Sequence, residues 1–150
     1  MNTQKLSEQI QKAAMALDNA IENKNMEEVL SYFADDCEIE LLKQILIGKE
    51  GVRKWINWLY KNIRQIKLQP IVIMVEGNKF FEEFIVRARL YSGIEVKSKQ
   101  AEVLIYDDKG KIKSLRLYFD RLDFIESVTK GPISKTLVNQ IIKKSLEGLI

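Results

Sequence analysis

Leu6, Ile10, Ala13, Leu17 and Ile21 recur every three or four residues with Gln, Lys and Glu between them. That spacing draws one apolar stripe along an amphipathic helix from about Thr3 to Glu22. Asn23-Lys24-Asn25 interrupts it, and Met26, Val29, Leu30 and Phe33 then mark a short second helix. The Asp35-Asp36 pair is expected to stop that helix, because these side chains favour turns over helix interiors. From Cys37 the period changes to two: Cys37, Ile39 and Leu41 fall on one side and Glu38 and Glu40 on the other, as in a half-buried strand. Gly48 leads into a third helix over about Glu50 to Ile63, with Val52, Trp55, Ile56, Leu59 and Ile63 on one face and Arg53, Lys54 and Lys61 opposite. Four extended segments come next, 67–76, 80–91, 95–106 and 111–119, separated by the turn signals Gly77-Asn78, Ser92-Gly93 and Asp107-Asp108-Lys109-Gly110. They predict an antiparallel meander, with Pro70 at a sheet edge or bulge because it lacks an N–H. After the breaker Gly131-Pro132, Ser134 is expected to cap a last helix in which Leu137, Ile141, Leu146 and Leu149 alternate with Lys135, Lys143 and Lys144.

A chain of 150 residues, 46% of them hydrophobic, fits one globular domain with a sizeable core. The 24 basic and 21 acidic residues are scattered along the chain and leave a net charge of +3. That balance argues against a nucleic-acid partner. No apolar run reaches a membrane span, and Met1-Asn2-Thr3-Gln4-Lys5 lacks the apolar core of a signal peptide, so a cytoplasmic protein without a membrane role is expected. The chain has no histidine and one cysteine. That removes histidine-based catalysis, the serine or cysteine nucleophile with a histidine base, zinc sites of the usual kind and any internal disulfide. Cys37 sits between Asp36 and Glu38 at the head of an apolar alternation and reads as a buried filler. Proton transfers, if this is an enzyme, fall to carboxylates, tyrosines, lysines or water.

Three phrases in order carry a resemblance: Glu28-Val29-Leu30-Ser31-Tyr32-Phe33-Ala34-Asp35-Asp36 before the first strand, Gly48-Lys49-Glu50-Gly51-Val52-Arg53 before the third helix, and Asp108-Lys109-Gly110-Lys111-Ile112 leading into Arg116-Leu117-Tyr118-Phe119-Asp120. Together they resemble the nuclear transport factor 2-like superfamily, and within it the SnoaL-like polyketide cyclase and ketosteroid isomerase relatives. The resemblance implies an α+β fold: a cone-shaped roll of a curved, mainly antiparallel sheet, with three helices from the N-terminal half enclosing an apolar cavity, to which the chain's own pattern adds a C-terminal helix that the family pattern does not cover. It also implies a homodimer with a small apolar molecule in the cone. Residues 1–124 would form that domain, and 125–150 a helical extension packed on the domain or on the dimer.

Fold does not imply function, so each relative's chemistry is matched residue by residue. Ketosteroid isomerases have a first-helix tyrosine, a first-strand base and a buried proton-donating acid, which fall here at Leu17, Leu41 and Glu102. Only the acid survives, and without a base the proton beside a carbonyl has no acceptor. Glu40 neighbours the base position but points to the other side of the strand. The arginine and two aspartates of limonene-type epoxide hydrolases fall at about Phe84, Val86 and Leu117, all apolar. Arg87 and Arg89 lie close by, but the run Phe84, Val86, Ala88, Leu90 makes the better inward face. The cyclases' last-strand acid matches Asp120, which alternation with Leu115, Leu117 and Phe119 places outward, where an aspartate closes a strand or caps the next element.

Glu102 and Asp120 are therefore the candidate catalytic residues, Glu102 as oxyanion donor or acid and Asp120 as proton shuttle. Glu102 shares a face with Leu104 and Tyr106, while Ala101, Val103 and Ile105 take the other, and alternation leaves open which face is inner. The expected pocket lining is Leu17, Tyr32, Leu41, Trp55, Leu59, Phe84, Val86, Leu104, Leu117 and Phe119. No cofactor is expected and no metal site is assigned: Asp35, Asp36 and Glu38 could hold magnesium or calcium, yet their turn-and-strand setting explains them without a metal. The leading reading is a protein that binds a small apolar or carbonyl-bearing molecule in the cone, with isomerase- or cyclase-type acid–base catalysis left open. The alternative is a non-enzymatic assembly module, its cone filled by side chains and its sheet face and tail helix making contacts.

Overall fold

A computed structural model describes residues 3–149, the side chains of 3 and 126–128 excepted. These residues form two compact units that divide between Phe119 and Asp120. In the first, α1 (Thr3–Glu22) forms as its stripe predicts and buries Ile10, Ala14, Leu17 and Ile21. The short α2 (Met26–Ser31) is capped by Asn25, whose side chain accepts from the Glu28 N–H at 3.2 Å. Its end departs from expectation. The chain is already extended at Phe33, so Asp35 and Asp36 lie inside β1 (Phe33–Leu41) rather than in a turn that stops the helix. They occupy an irregularity in the pairing, where the register against β6 slips between Phe33 and Glu38. Both face solvent there, Asp35 3.0 Å from Lys49 and Asp36 bonded to Lys113.

A further strand beyond those the sequence pattern predicts, β2 (Gln44–Ile47), returns antiparallel along β1. Leu42 and Lys43 close this hairpin at φ of 51° and 63°. Such a turn normally uses Asn-Gly, so the sequence carried no signal for it. Two glycines then fix how α3 (Gly48–Asn62) enters. Gly48 has φ +67°, and a Cβ there would meet the Asp35 carbonyl oxygen at 2.9 Å; a Cβ on Gly51 would meet the Leu46 carbonyl carbon at 2.8 Å.

The strands β3 (Ile63–Glu76), β4 (Lys79–Leu90), β5 (Glu95–Tyr106) and β6 (Ile112–Phe119) form the expected antiparallel meander, and β1 joins it parallel to β6. The six-stranded sheet runs β2-β1-β6-β5-β4-β3 and is open at both ends. Pro70 lies on the edge strand β3 beside a register shift, which spares the ladder its missing N–H. Phe80, Phe84, Val86 and Ala88 of β4 and Leu104 and Tyr106 of β5 are buried on the inner face, with Ile39, Leu41, Leu115, Val52, Trp55 and Ile56 in the same core. Cys37 is fully buried in that core, and desolvation raises its thiol pKa. The α+β architecture is the one the resemblance implied.

The second unit holds α4 (Leu122–Val128), a short helix not anticipated, and α5 (Pro132–Ser145). Helix α5 starts at Pro132 after Gly131, with no side-chain cap, so Ser134 lies inside it and does not cap it. A proline in the first helical turn lacks only an N–H that would have no partner there. Its residues Ile133, Leu137 and Ile141 are exposed. No helix among the described residues is long and apolar enough to cross a membrane.

Candidate functional site: carboxyl groups on the inner face

The strand pairing builds one rung across the inner face. Leu41 pairs with Leu117, Leu117 with Glu102, Glu102 with Glu82, and Glu82 with Ile73. The middle of this rung is two carboxyl groups directly opposed on neighbouring strands, an arrangement that repels when both are ionised. Glu102 is 7% exposed and Glu82 only 2%. The rung on one side is apolar, Val75, Phe80, Leu104, Leu115 and Ile39, and on the other Gln100 pairs with Phe84 and Phe119. A third carboxyl comes from α1. Asp18 lies four residues after Ala14 and three before Ile21, on the stripe that faces the sheet. Carboxylate oxygens of Asp18, Glu82 and Glu102 all lie within 4.8 Å of one another.

The electrostatics follow from this crowding. Burial first, then the charges of Asp18 and Glu82, hold the Glu102 carboxyl well above the usual carboxylate range. Burial, Glu82 and Glu22 push Asp18 up to about 8, and burial pushes Glu82 up to about 7. At neutral pH, Glu102 therefore keeps its proton while Glu82 sits near its midpoint. One protonated and one ionisable carboxyl side by side form a donor–acceptor pair, the elementary requirement for general acid–base work.

Three polar side chains of β5 border the cluster, Tyr106, Gln100 and Ser98. The Tyr106 hydroxyl is buried without a hydrogen-bond partner among the described residues, as is Oε1 of Glu82. Burial raises the Tyr106 pKa, and the charges of Glu102 and Asp18 raise it further, so the hydroxyl stays a donor near them. Along β5 the inner face continues as Gln100 and Ser98, both buried, with Gln100 Nε2 donating to Ser98 Oγ at 3.2 Å. Oxygen ligands of the cluster's kind suit hard cations and no soft metal, and any cation would compete with the protons these carboxyls retain. Asp35, Asp36 and Glu38 are exposed by contrast, the first two in ion pairs of their own.

Of the residues singled out from sequence, Glu102 points inward, at the centre of the cluster. Asp120 is exposed, and its Oδ1 accepts from the Leu122 N–H at 2.8 Å, fastening the turn that opens α4. Leu17, Leu41, Trp55, Phe84, Val86 and Leu104 are buried; Tyr32, Leu59, Leu117 and Phe119 are partly buried. The Tyr32 hydroxyl donates to Glu28 Oε1 at 3.3 Å. Arg87 and Arg89 are exposed, as alternation suggested. Asp18 and Glu82 were not anticipated, although both carry a signal: Asp18 interrupts the apolar stripe of α1, and extending Phe84, Val86, Ala88 back by two strand steps reaches Glu82 and Phe80.

Residues 14–115 match the family model described as the SnoaL-like domain. No curated protein matches the chain. Among solved structures, an NTF2-like protein of unknown function from Burkholderia pseudomallei K96243 is 17% identical, with 81% of this chain and 98% of that one covered and a TM-score of 0.74. An LEH-like epoxide hydrolase from M. tuberculosis is 19% identical over 87% of this chain and 97% of its own, with a TM-score of 0.69. SalBIII, an epoxide hydrolase/cyclase-like enzyme with a role in pyran ring formation in the polyether salinomycin, is 15% identical over 77% and 94%, with a TM-score of 0.70. At these identities the likeness is one of fold.

Proposed function

The chain belongs to the SnoaL-like domain family, and from that premise we propose that it binds a small, largely apolar carbonyl compound against the inner face of its sheet and moves protons on it. The observation that carries this reading is the convergence of partly buried Asp18 with buried Glu82 and Glu102, without ion pairs among the described residues. Glu102, protonated at neutral pH, donates to the carbonyl oxygen, with the Tyr106 hydroxyl as a second donor. Glu82, whose pKa of about 7 matches a working pH near neutrality, accepts the proton from the carbon beside the carbonyl. The electron pair left by that C–H bond moves into the enolate, whose oxygen Glu102 holds by its hydrogen bond; the proton on Glu82 then returns to a different carbon, or the enolate carbon attacks a second carbonyl to close a ring and that carbonyl's oxygen takes the proton from Glu82. Asp18 keeps its proton and hydrogen-bonds the charged partner, limiting the cost of burying it. The apolar body of the compound lies against Phe84, Val86, Trp55 and Leu104. This route needs none of the isomerase base at Leu41, because the base comes from β4 instead.

Hydrogen–deuterium exchange into a panel of β,γ-unsaturated ketones and 1,3-diketones, monitored by NMR in deuterated water, tests the proposal. Exchange at the α-carbon above the buffer rate, abolished in Glu82→Gln and slowed at least a hundredfold in Glu102→Leu, is expected. No exchange above buffer with any member of the panel overturns it.

A second reading rests on a separate observation, the apolar outer face formed by Val72, Met74, Phe81, Val103 and Tyr118, of which Met74 is 56% and Tyr118 52% exposed. Such a patch on a sheet face fits pairing with a second copy of the chain, the homodimer that the family resemblance implies. Sedimentation velocity distinguishes the states: a dimer that Met74→Lys dissociates supports this interface, and a monomer at micromolar concentration removes it.

A further inference from the structure

The outer face of the sheet is not uniform. Beyond its apolar half, the pairing places Lys67 of β3 opposite Arg87 of β4, and Arg87 opposite Lys97 of β5. Three cations stand in one cross-strand row, about 4.8 Å between neighbouring strands. Like charges directly opposite destabilise a sheet, so the row needs an explanation. One end of the row and its flanking cations are accounted for: Lys67 lies 2.6 Å from Glu22, Arg89 is bonded to Glu95, and Lys99 lies 2.6 Å from Glu83. Among the described residues no acid pairs with Arg87 or Lys97, the middle and one end of the row. A depression of about 280 Å³ opens at this place, lined by Gln65, Lys67, Arg87, Arg89, Glu95 and Lys97. Its floor is the backbone of Ile66, Ala88 and Val96, whose side chains are buried on the other face.

We propose that this depression binds the phosphate group of a small phosphorylated molecule. The Arg87 guanidinium offers a fork of N–H donors that matches two phosphate oxygens, Lys97 supplies a second charge one strand away, and Gln65 supplies a neutral donor at the rim. A dianion there converts the repulsive row into a bridged one. A monocarboxylate neutralises only half of the charge left over on Arg87 and Lys97, so phosphate is favoured over acetate-like groups. The site is separate from the carboxyl cluster, which lies on the opposite face of the same strands.

Titration of the full chain with inorganic phosphate, glycerol phosphate and sodium chloride at matched ionic strength, monitored by amide NMR and by thermal melting, tests this. Both phosphate probes are expected to shift amides of residues 65–67, 87–89 and 95–97 and to raise the melting temperature beyond the chloride control. Arg87→Gln is expected to weaken phosphate binding at least tenfold, and at low ionic strength without phosphate to melt no lower than the wild type, because it relieves the row. Lys97→Gln is expected to weaken it less, and Glu102→Gln not at all. Equal responses to phosphate and chloride, or an Arg87→Gln protein that responds to phosphate as the wild type does, would overturn the proposal.

Discussion

Replacing Glu82 with glutamine tests the electrostatics of the inner face without disturbing its shape. The Glu82 carboxyl is 2% exposed and its pKa is raised from 4.5 to about 7 by burial. Between those two values the folded chain retains a proton that the unfolded chain releases. The folded state therefore binds more protons, and stability falls as pH rises. Glu82's contribution is fully present below about 4.5 and lost once the pH has passed about 7. At about 1.4 kcal/mol per pKa unit, the loss at pH 8.5 is about 3 kcal/mol. Glutamine has nothing to ionise. Glu82→Gln should match the wild type at pH 5 to within about 1 kcal/mol and exceed it by about 3 kcal/mol at pH 8.5, a difference on the order of 5–10 °C in melting temperature. Urea unfolding at half-unit pH steps, with reversibility checked at each, measures this directly. A wild type whose stability is flat or rising from pH 5 to 8.5, or a variant less stable than wild type at both ends, would refute the reasoning.

Other expectations are as direct. Tyr106→Phe removes a buried hydroxyl without a partner among the described residues and should leave stability unchanged or raise it by up to about 1 kcal/mol in urea unfolding, whereas a loss of about 2 kcal/mol or more would show that the hydroxyl is bonded. Gly51→Ala places a Cβ 2.8 Å from the Leu46 carbonyl carbon and should cost roughly 1–3 kcal/mol, seen as a lower midpoint by circular dichroism. Replacing Leu42-Lys43 with Asn-Gly suits the two positive φ values of the hairpin and should stabilise the chain by about 0.5–1 kcal/mol; a destabilised variant would mean that Leu42 contributes more by packing than it costs in backbone strain.

How much was legible depended on how local the cause was. Helix α1 and strands β4 and β5 declare themselves, because a stripe of period 3.6 or 2 is written along a single segment. The inner face of β4 was readable at Phe84, Val86 and Ala88, and Glu102 was readable as an acid of interest. The direction of Glu102 was not readable, because β5 carries apolar residues on both faces and only the pairing with β4 and β6 decides between them. Asp18 and Glu82 were passed over for a related reason: a lone acid on an otherwise apolar stripe reads as an interruption until a second element brings another acid beside it. Asp35 and Asp36 misled because a propensity for turns is equally satisfied by an irregular strand in which both side chains reach solvent and a lysine. The turn at Leu42-Lys43 has no composition signal at all, and β2 went unpredicted with it.

Proton transfer at the inner face depends above all on the protonation state of its three carboxyls. Carbon-13 NMR of the chain labelled at the aspartate and glutamate side-chain carboxyls, with resonances assigned through Asp18→Asn, Glu82→Gln and Glu102→Gln, reads it. Glu102 is expected to remain protonated at pH 7, and Glu82 and Asp18 to titrate near 7 and 8. Three carboxyls all ionised by pH 5 would contradict the proposed chemistry.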